Sequence, residues 1–370
     1  MELVLPLYDT ETPPEKDVVF KDPAFTENRT EAIHRWIPWI AGFSAGFAAD
    51  CLREYLPDVA PETAVVLDPF AGVGTTLLEA YRHGFNTVGF EINPYAALAA
   101  RAKMEAGEIS LPLLEFWLRI FQAALRDLEN APFPPPAVVP PGFRSRIPFF
   151  SKPIETQVLN VLAFIRGLAD PKLRDLFLVA FGSVMVKFSN YTYEPSLTSR
   201  PGSGKPLIAT ADVVGILAAK LAQMAQDCRA LQKEVEELSP NLRRSVIQDS
   251  IFSASEYLPD GSIDLAITSP PYLNNYHYIR NTRPHLFWLE MIEDTTGLRQ
   301  IEEASFGKFW QTVRDGERID LAFSLPDLEA VLDRLRKTNT AKGIYGGEGW
   351  ANYAAQYFND TDRLCAVMQR

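Results

Sequence analysis

The stretch Val65-Val66-Leu67-Asp68-Pro69-Phe70-Ala71-Gly72-Val73-Gly74-Thr75-Thr76 constrains the fold of this chain more than any other. Three β-prone apolar residues run into an acid, a proline and an aromatic. Two glycines one residue apart follow, and a helix-compatible segment then covers residues 77–83. This pattern predicts a buried strand that turns tightly into a helix N-terminus. The glycines let the backbone approach a ligand, and the helix start offers unpaired N–H groups. On its own, a Gly-x-Gly after a strand fits a purely structural turn equally well.

The residues that follow extend the pattern. Strand 64–67, the glycine loop and a helix to His83 are stopped by Gly84, as a C-terminal cap requires. A second strand over 87–91 ends in Glu91. Ile92-Asn93-Pro94 and an alanine-rich helix over 95–104 come next. Asp68 and Glu91 are 23 residues apart, close to the roughly 20-residue step from loop to ribose-binding acid in nucleotide-binding βαβ units. Upstream, an irregular arm is expected over 1–32. Trp36, Trp39, Phe43 and Phe47 then admit two readings: they plug the bottom of a core, or part of the segment closes over whatever the glycine loop holds.

The strand pattern pauses after residue 104. Helices are expected over 111–128, 154–168, 173–187 and 211–238, with a polar loop over 189–205. Residues 131–141 hold six prolines and read as an extended linker. The run 143–152 interleaves bases with aromatics, making Arg144 and Arg146 candidates for a nucleic-acid backbone, although an exposed linker explains it as well. Gly202-Ser203-Gly204-Lys205 lacks the spacing of a phosphate loop and ends in Pro206. Strands resume at 244–249 and 263–268, and the second runs into Ser269-Pro270-Pro271-Tyr272. Two prolines after a buried strand force a rigid, donor-free backbone. The Pro270 carbonyl and the Ser269 hydroxyl would face a planar ligand as acceptors, and the Tyr272 ring would stack on it.

Bulk properties narrow the class. With 370 residues, 47% hydrophobic and 22% charged, the chain has ordinary globular composition. A net charge of −11 argues against nonspecific coating of nucleic acid, though not against a local basic groove. Cys51, Cys228 and Cys365 are scattered and do not cluster with the four histidines, so neither a metal site nor a disulfide framework is expected, and a cytoplasmic location fits. There is no signal-peptide pattern and no apolar run of about 18 residues, so no membrane partner is expected.

Together these motifs resemble those of the S-adenosylmethionine-dependent amino-methyltransferases that act on exocyclic amines of DNA bases, in the order with the cofactor loop before the catalytic motif. The resemblance covers about residues 33–104 and 244–290. It implies a Rossmann-like class I methyltransferase sheet, α/β in class, with a large helical insertion. It also implies S-adenosyl-L-methionine as cofactor, with Asp68, Phe70, Ala71, Gly72, Gly74, Thr75 and Thr76 in its loop. Glu91 would hold the ribose, with Asn93 beside it, Asp249 would contact the adenine amine, and Ser269 would also border the cofactor. Ser269, Pro270, Pro271 and Tyr272 would carry catalysis. A serine at the head of that motif leans toward cytosine N4, with adenine N6 the alternative. DNA is the implied partner, in a restriction-modification or other defence setting. Tyr276, Arg280 and Arg283, just past the motif, are candidates for DNA contact, a solvated loop being the plainer reading.

The chain departs from that pattern at its end. Residues 286–292, 326–335 and 350–368 read as helical, and no convincing strand follows the catalytic one. The organisation expected is an arm (1–32), a first part with the cofactor loop (33–104), a helical insertion with its Pro-rich linker (105–243), a second part with the catalytic motif (244–290) and a helical C-terminal region (291–370). The sheet would then be incomplete on its C-terminal side. A second polypeptide would complete it and target recognition, or the chain would be a partial subunit that binds cofactor or DNA and needs a partner for activity.

Overall fold

The computed structural model describes residues 20–22, 24, 26–39, 42–124, 137–194, 196–273 and 277–370. Most of the arm, the bulk of the Pro-rich linker and Tyr276 lie outside the described residues.

Helix α1 (Ala45–Tyr55) precedes strand β1 (Val65–Asp68), helix α2 (Thr75–Arg82), strand β2 (Asn86–Phe90) and helix α3 (Pro94–Met104). Helices α4 (Leu111–Ala124), α5 (Lys152–Arg166) and α6 (Pro171–Val184), strands β3 (Tyr191–Tyr193) and β4 (Leu197–Ser199), and helix α7 (Val213–Glu234) follow. The chain returns to the main sheet with β5 (Arg244–Ile247) and β6 (Leu265–Ala266). It closes with α8 (Tyr278–Trp288), α9 (Thr295–Ala304), α10 (Trp310–Val313), α11 (Pro326–Arg336) and α12 (Gly347–Met368).

Among the described residues the main sheet has four strands, ordered β5-β2-β1-β6 and all parallel. This is a mixed α/β fold with large helical content. β1 shows why its residues form a central strand. Val66 packs on one face with Leu52, Ala80 and Phe85, and Leu67 on the other with Phe90, Ile251 and Leu364. A parallel strand covered on both faces has no use for polar alternation, so a continuous apolar run is what the position demands.

The helices of the insertion share one core with α2, α3 and α8, in which Phe121, Phe164, Phe177 and Phe181 are buried. Asp227 on α7 fastens the upstream segment to this body. It accepts from the backbone of Ile33 (3.2 Å), from Trp36 Nε1 (3.0 Å) and from both forks of the Arg35 guanidinium.

Several boundaries differ from those expected. Residues 189–205 contain an antiparallel hairpin, β3 with β4, rather than only a polar loop. Tyr191-Thr192-Tyr193 and Leu197-Thr198-Ser199 are β-favouring triplets whose shortness hid them. β6 is two residues long, although Asp264 N–H to the Val65 carbonyl and Ile267 N–H to the Leu67 carbonyl (both 3.0 Å) continue its contact with β1. The helix expected over 286–292 begins at Tyr278 and ends at Trp288, with Pro284 inside it. Among the described residues no strand follows β6, and no helix is long and apolar enough to cross a membrane.

Candidate active site

The loop after β1 is built as its glycines require. Gly72 and Gly74 adopt φ of +51° and +79°, a region that side chains disfavour. A Cβ on Gly74 would stand 3.0 Å from that of Ala100 on α3, and one on Gly72 would stand 3.3 Å from Trp39 Nε1. The glycines thus allow both the turn and the close approach of α3 and the Trp39 indole.

Two acids converge here. Glu91, just past β2, accepts from the Gly72 N–H at 2.8 Å through Oε2 and from the Asn93 N–H at 2.7 Å through Oε1. Desolvation raises its carboxyl to about 7 against the pull of those N–H groups. Asp68 is fully buried, and burial raises it to about 6. Its Oδ1 accepts from the Thr268 hydroxyl (2.8 Å) and the Phe70 N–H (3.1 Å), while Oδ2 has no partner. The Thr76 hydroxyl donates to the Ile267 carbonyl at 3.2 Å. Asp68 and Thr76 therefore tie the glycine loop to the strand that carries the Ser-Pro-Pro-Tyr motif, 200 residues away between Asp68 and Thr268.

A single cleft lies over the ends of these strands. Of the sequence candidates, Asp249 lines it after β5, Glu91 and Asn93 after β2, Phe70 and Gly72 after β1, and Ser269, Pro271 and Tyr272 after β6. Asp68, Ala71, Gly74, Thr75, Thr76 and Pro270 are not among its lining residues; they belong to the strand ends, turn and helix start behind it. Asn93 is also a helix cap. Its Oδ1 accepts from the Tyr95 N–H (3.1 Å), and its Nδ2 donates to the Thr282 hydroxyl on α8 (2.7 Å). Asp249 accepts from the Tyr257 hydroxyl at 2.8 Å and from the Ser250 N–H at 2.6 Å. Tyr272 is 49% exposed, so its ring is open to a partner.

The aromatic segment upstream divides between its two readings. Trp36 is wholly buried, whereas Trp39 lines the cleft. The basic candidates lie outside the cleft lining. Arg144, Arg146 and Arg280 are exposed. Arg283 is half-buried, its guanidinium 5.7 Å from the Phe143 ring and 5.9 Å from that of Phe287. Phe143 also packs 5.6 Å from Phe287, so the basic-aromatic run rests on the helix that starts six residues past Tyr272.

Sequence reasoning missed one wall of the cleft. Residues 304–309 and two tyrosines of α12, Tyr353 and Tyr357, line it. The Tyr357 hydroxyl donates to the Pro271 carbonyl at 2.9 Å, and Phe306 packs 5.0 Å from Phe70 and 5.3 Å from Tyr357. Gly307 and Lys308 both have positive φ, and the Gly307 N–H is held by Asp360 Oδ2 at 2.8 Å. The Gly307 position was the available signal, a glycine between two aromatics in Phe306-Gly307-Lys308-Phe309.

The sequence is similar to those of known DNA methyltransferases. The family model for DNA methylases of the N6/N4 type matches residues 10–101. The chain is 24% identical over 302 residues to the type II methyltransferase M.BsoBI of Geobacillus stearothermophilus, covering 76% of this chain and 57% of the relative. It is 23% identical over 295 residues to the type II methyltransferase M.MvaI of Kocuria varians, covering 76% and 63%. A 45-residue stretch is 38% identical to part of the type II methyltransferase M.MjaII of Methanocaldococcus jannaschii. The match thus spans somewhat more than half the length of the first two relatives. No solved structure matches the chain.

Proposed function

We propose that this chain carries out, or carries the cofactor-binding and catalytic part of, S-adenosylmethionine-dependent methylation of an exocyclic base amine in DNA, with cytosine N4 the favoured target and adenine N6 the alternative. A restriction-modification setting and a cytoplasmic location go with that reading, as does a class I methyltransferase sheet. The observation that supports it most is that the glycine loop with Glu91 and the Ser-Pro-Pro-Tyr motif open onto one cleft.

The residues fit the cofactor. Positive-φ glycines leave room for its methionine end beside Trp39. Glu91 has two carboxylate oxygens at the cleft wall for ribose hydroxyls, Asp249 after the neighbouring β5 would take the adenine amine, and Phe70 and Ile251 supply apolar walls. When bound, the cofactor supplies the methyl group. The chain's own part is to orient and polarise. The Ser269 hydroxyl at the cleft wall, with the Pro270 carbonyl behind that wall as the second acceptor once the base is seated, accepts from the amine hydrogens and turns the nitrogen lone pair toward the donor. Tyr272 stacks on the base, which must leave a duplex to reach it. The methylated amine then releases a proton to solvent, so no strong base is required.

A second reading, a subunit that needs a partner chain, is favoured by one feature. β6 pairs with β1 on one side and with no strand on the other among the described residues. Incubation with genomic DNA and labelled cofactor, with and without candidate partner chains, followed by nucleoside mass spectrometry, tests both readings and names the base. Ser269→Ala should abolish transfer and leave cofactor binding nearly intact. Transfer that survives this change would remove the proposed mechanism.

A further inference from the structure

A second cavity, of about 200 Å3, shares Trp39 and Tyr278 with the cleft as walls. No residue of the glycine loop or of the Ser-Pro-Pro-Tyr motif lines it. Segments from across the sequence build it: Arg29, the stretch around Trp39, Tyr95 at the start of α3, Gly182 at the end of α6 with Val186 just past it, Tyr193 on β3, and α8 with His285.

Two polar side chains on its walls are buried, and each has a polar atom outside the hydrogen bonds of the structure. The Tyr95 hydroxyl and His285 Nδ1 make no hydrogen bond, although the residues are only 2% and 4% exposed. Their rings stack with centroids 4.2 Å apart. The Gly182 carbonyl stands 3.0 Å from His285 Nε2, and the Thr282 carbonyl acts on the same imidazole. Burial lowers the imidazole to about 4, which keeps it neutral. The Tyr95 hydroxyl, stacked beside this ring, can donate or accept and has neither partner. A buried polar atom without a partner is costly and marks a place where a partner belongs.

The rest of the lining narrows what that partner is. Trp39, Tyr193 and Tyr278 join Tyr95 as aromatic walls, which suit a flat ring. Arg29, also on the lining, is exposed, and a guanidinium suits phosphate. A cavity of about 150 Å3 takes one benzene ring. The space here therefore has room for a single heterocycle, and a sugar and phosphate would lie outside it, toward Arg29.

We propose that this cavity binds the base of one nucleotide, at a site separate from the cleft, with the Tyr95 hydroxyl reading the edge of the base beside the His285 ring and Arg29 meeting its phosphate. The proposal rests on the cavity alone and not on methyl transfer. The same chemistry comes from two sources, an unpaired base in a DNA strand or a free nucleoside monophosphate.

The test uses the full chain, the four deoxynucleoside 5′-monophosphates and a fluorescent 12-base single-stranded oligonucleotide, all titrated in saturating S-adenosylmethionine. At least one probe should bind. Tyr95→Phe should weaken it about tenfold while leaving the melting temperature unchanged or higher. Val186→Trp, which fills the cavity, should abolish binding, and Arg29→Ala should weaken it. Binding by the oligonucleotide alone would assign the strand as source, and binding by a monophosphate would assign the free nucleotide. Affinities that are equal in wild type and in both cavity variants, or no binding by a wild type that melts cooperatively, would overturn the proposal. S-adenosylmethionine affinity, measured by calorimetry on the same samples, separates failure of this site from failure of the methyltransferase reading.

Discussion

Glu91 and Asp68 hold the glycine loop together at a cost that depends on pH. Both carboxyls are raised in the folded chain, Glu91 to about 7 and Asp68 to about 6, with burial the main cause and Asp68 a further one for Glu91. The folded state therefore binds more protons than the unfolded chain between about pH 4 and 7. The stabilisation is fully present below the unfolded values and is lost as pH rises through the folded ones. Urea denaturation of the ligand-free protein should show stability falling between about pH 4 and 7, with Glu91 contributing up to about 3 kcal/mol. Glu91→Gln should flatten that slope, and an unchanged slope would exclude Glu91 as its source. The glycine spacing and the Asp68-to-Glu91 interval were readable in the sequence because both are local to one βαβ unit. The Thr268 bond to Asp68 was not, since it depends on β6 lying beside β1, a matter of strand order rather than spacing.

At the scale of elements, caps and docked helices set the shape of the cleft. Asn93 caps α3 and reaches α8 through Thr282. Asn93→Ala should cost about 1–2 kcal/mol in thermal or urea unfolding, the usual loss for such a cap. Tyr357 on α12 holds the Pro271 carbonyl. Tyr357→Phe should lower the rate of methyl transfer about tenfold by loosening the motif, with cofactor affinity within about twofold. An equal loss of both would mean that α12 supports the whole cleft instead. Strands β1, β2 and β5 and helices α2, α3 and α7 announced themselves through long apolar runs or alternation. The β3–β4 hairpin did not, because three-residue strands carry too little periodicity to stand out from a polar loop. α12 was visible as a helix, but its contact with Pro271 lies in tertiary packing that no local pattern encodes.

At the scale of the molecule, one buried carboxylate joins the segment before β1 to the helical insertion. Asp227→Ala would strand Arg35 and remove the acceptor of the Ile33 and Trp36 N–H groups. It should cost about 3 kcal/mol in urea unfolding; a loss below about 1 kcal/mol would show that the segment is held mainly by its apolar contacts. The overall charge of −11 means that any DNA contact must be local. If Arg144 and Arg146 meet phosphates, replacing both with alanine should reduce the salt slope of DNA binding by about 2, and an unchanged slope would remove them from the interface. That Phe143, next to these arginines in the chain, packs on α8 was not legible beforehand, because that packing joins segments about 140 residues apart.

Trp39 and Tyr278 form a partition common to two chambers. A thin shared wall cannot be pressed from one side without being felt on the other. If filling the cleft changes the affinity of the neighbouring chamber by some factor, filling that chamber must change the affinity of the cleft by the same factor. A nucleotide in the side chamber would then act as a dial on donor occupancy, and the dial would turn equally from either end.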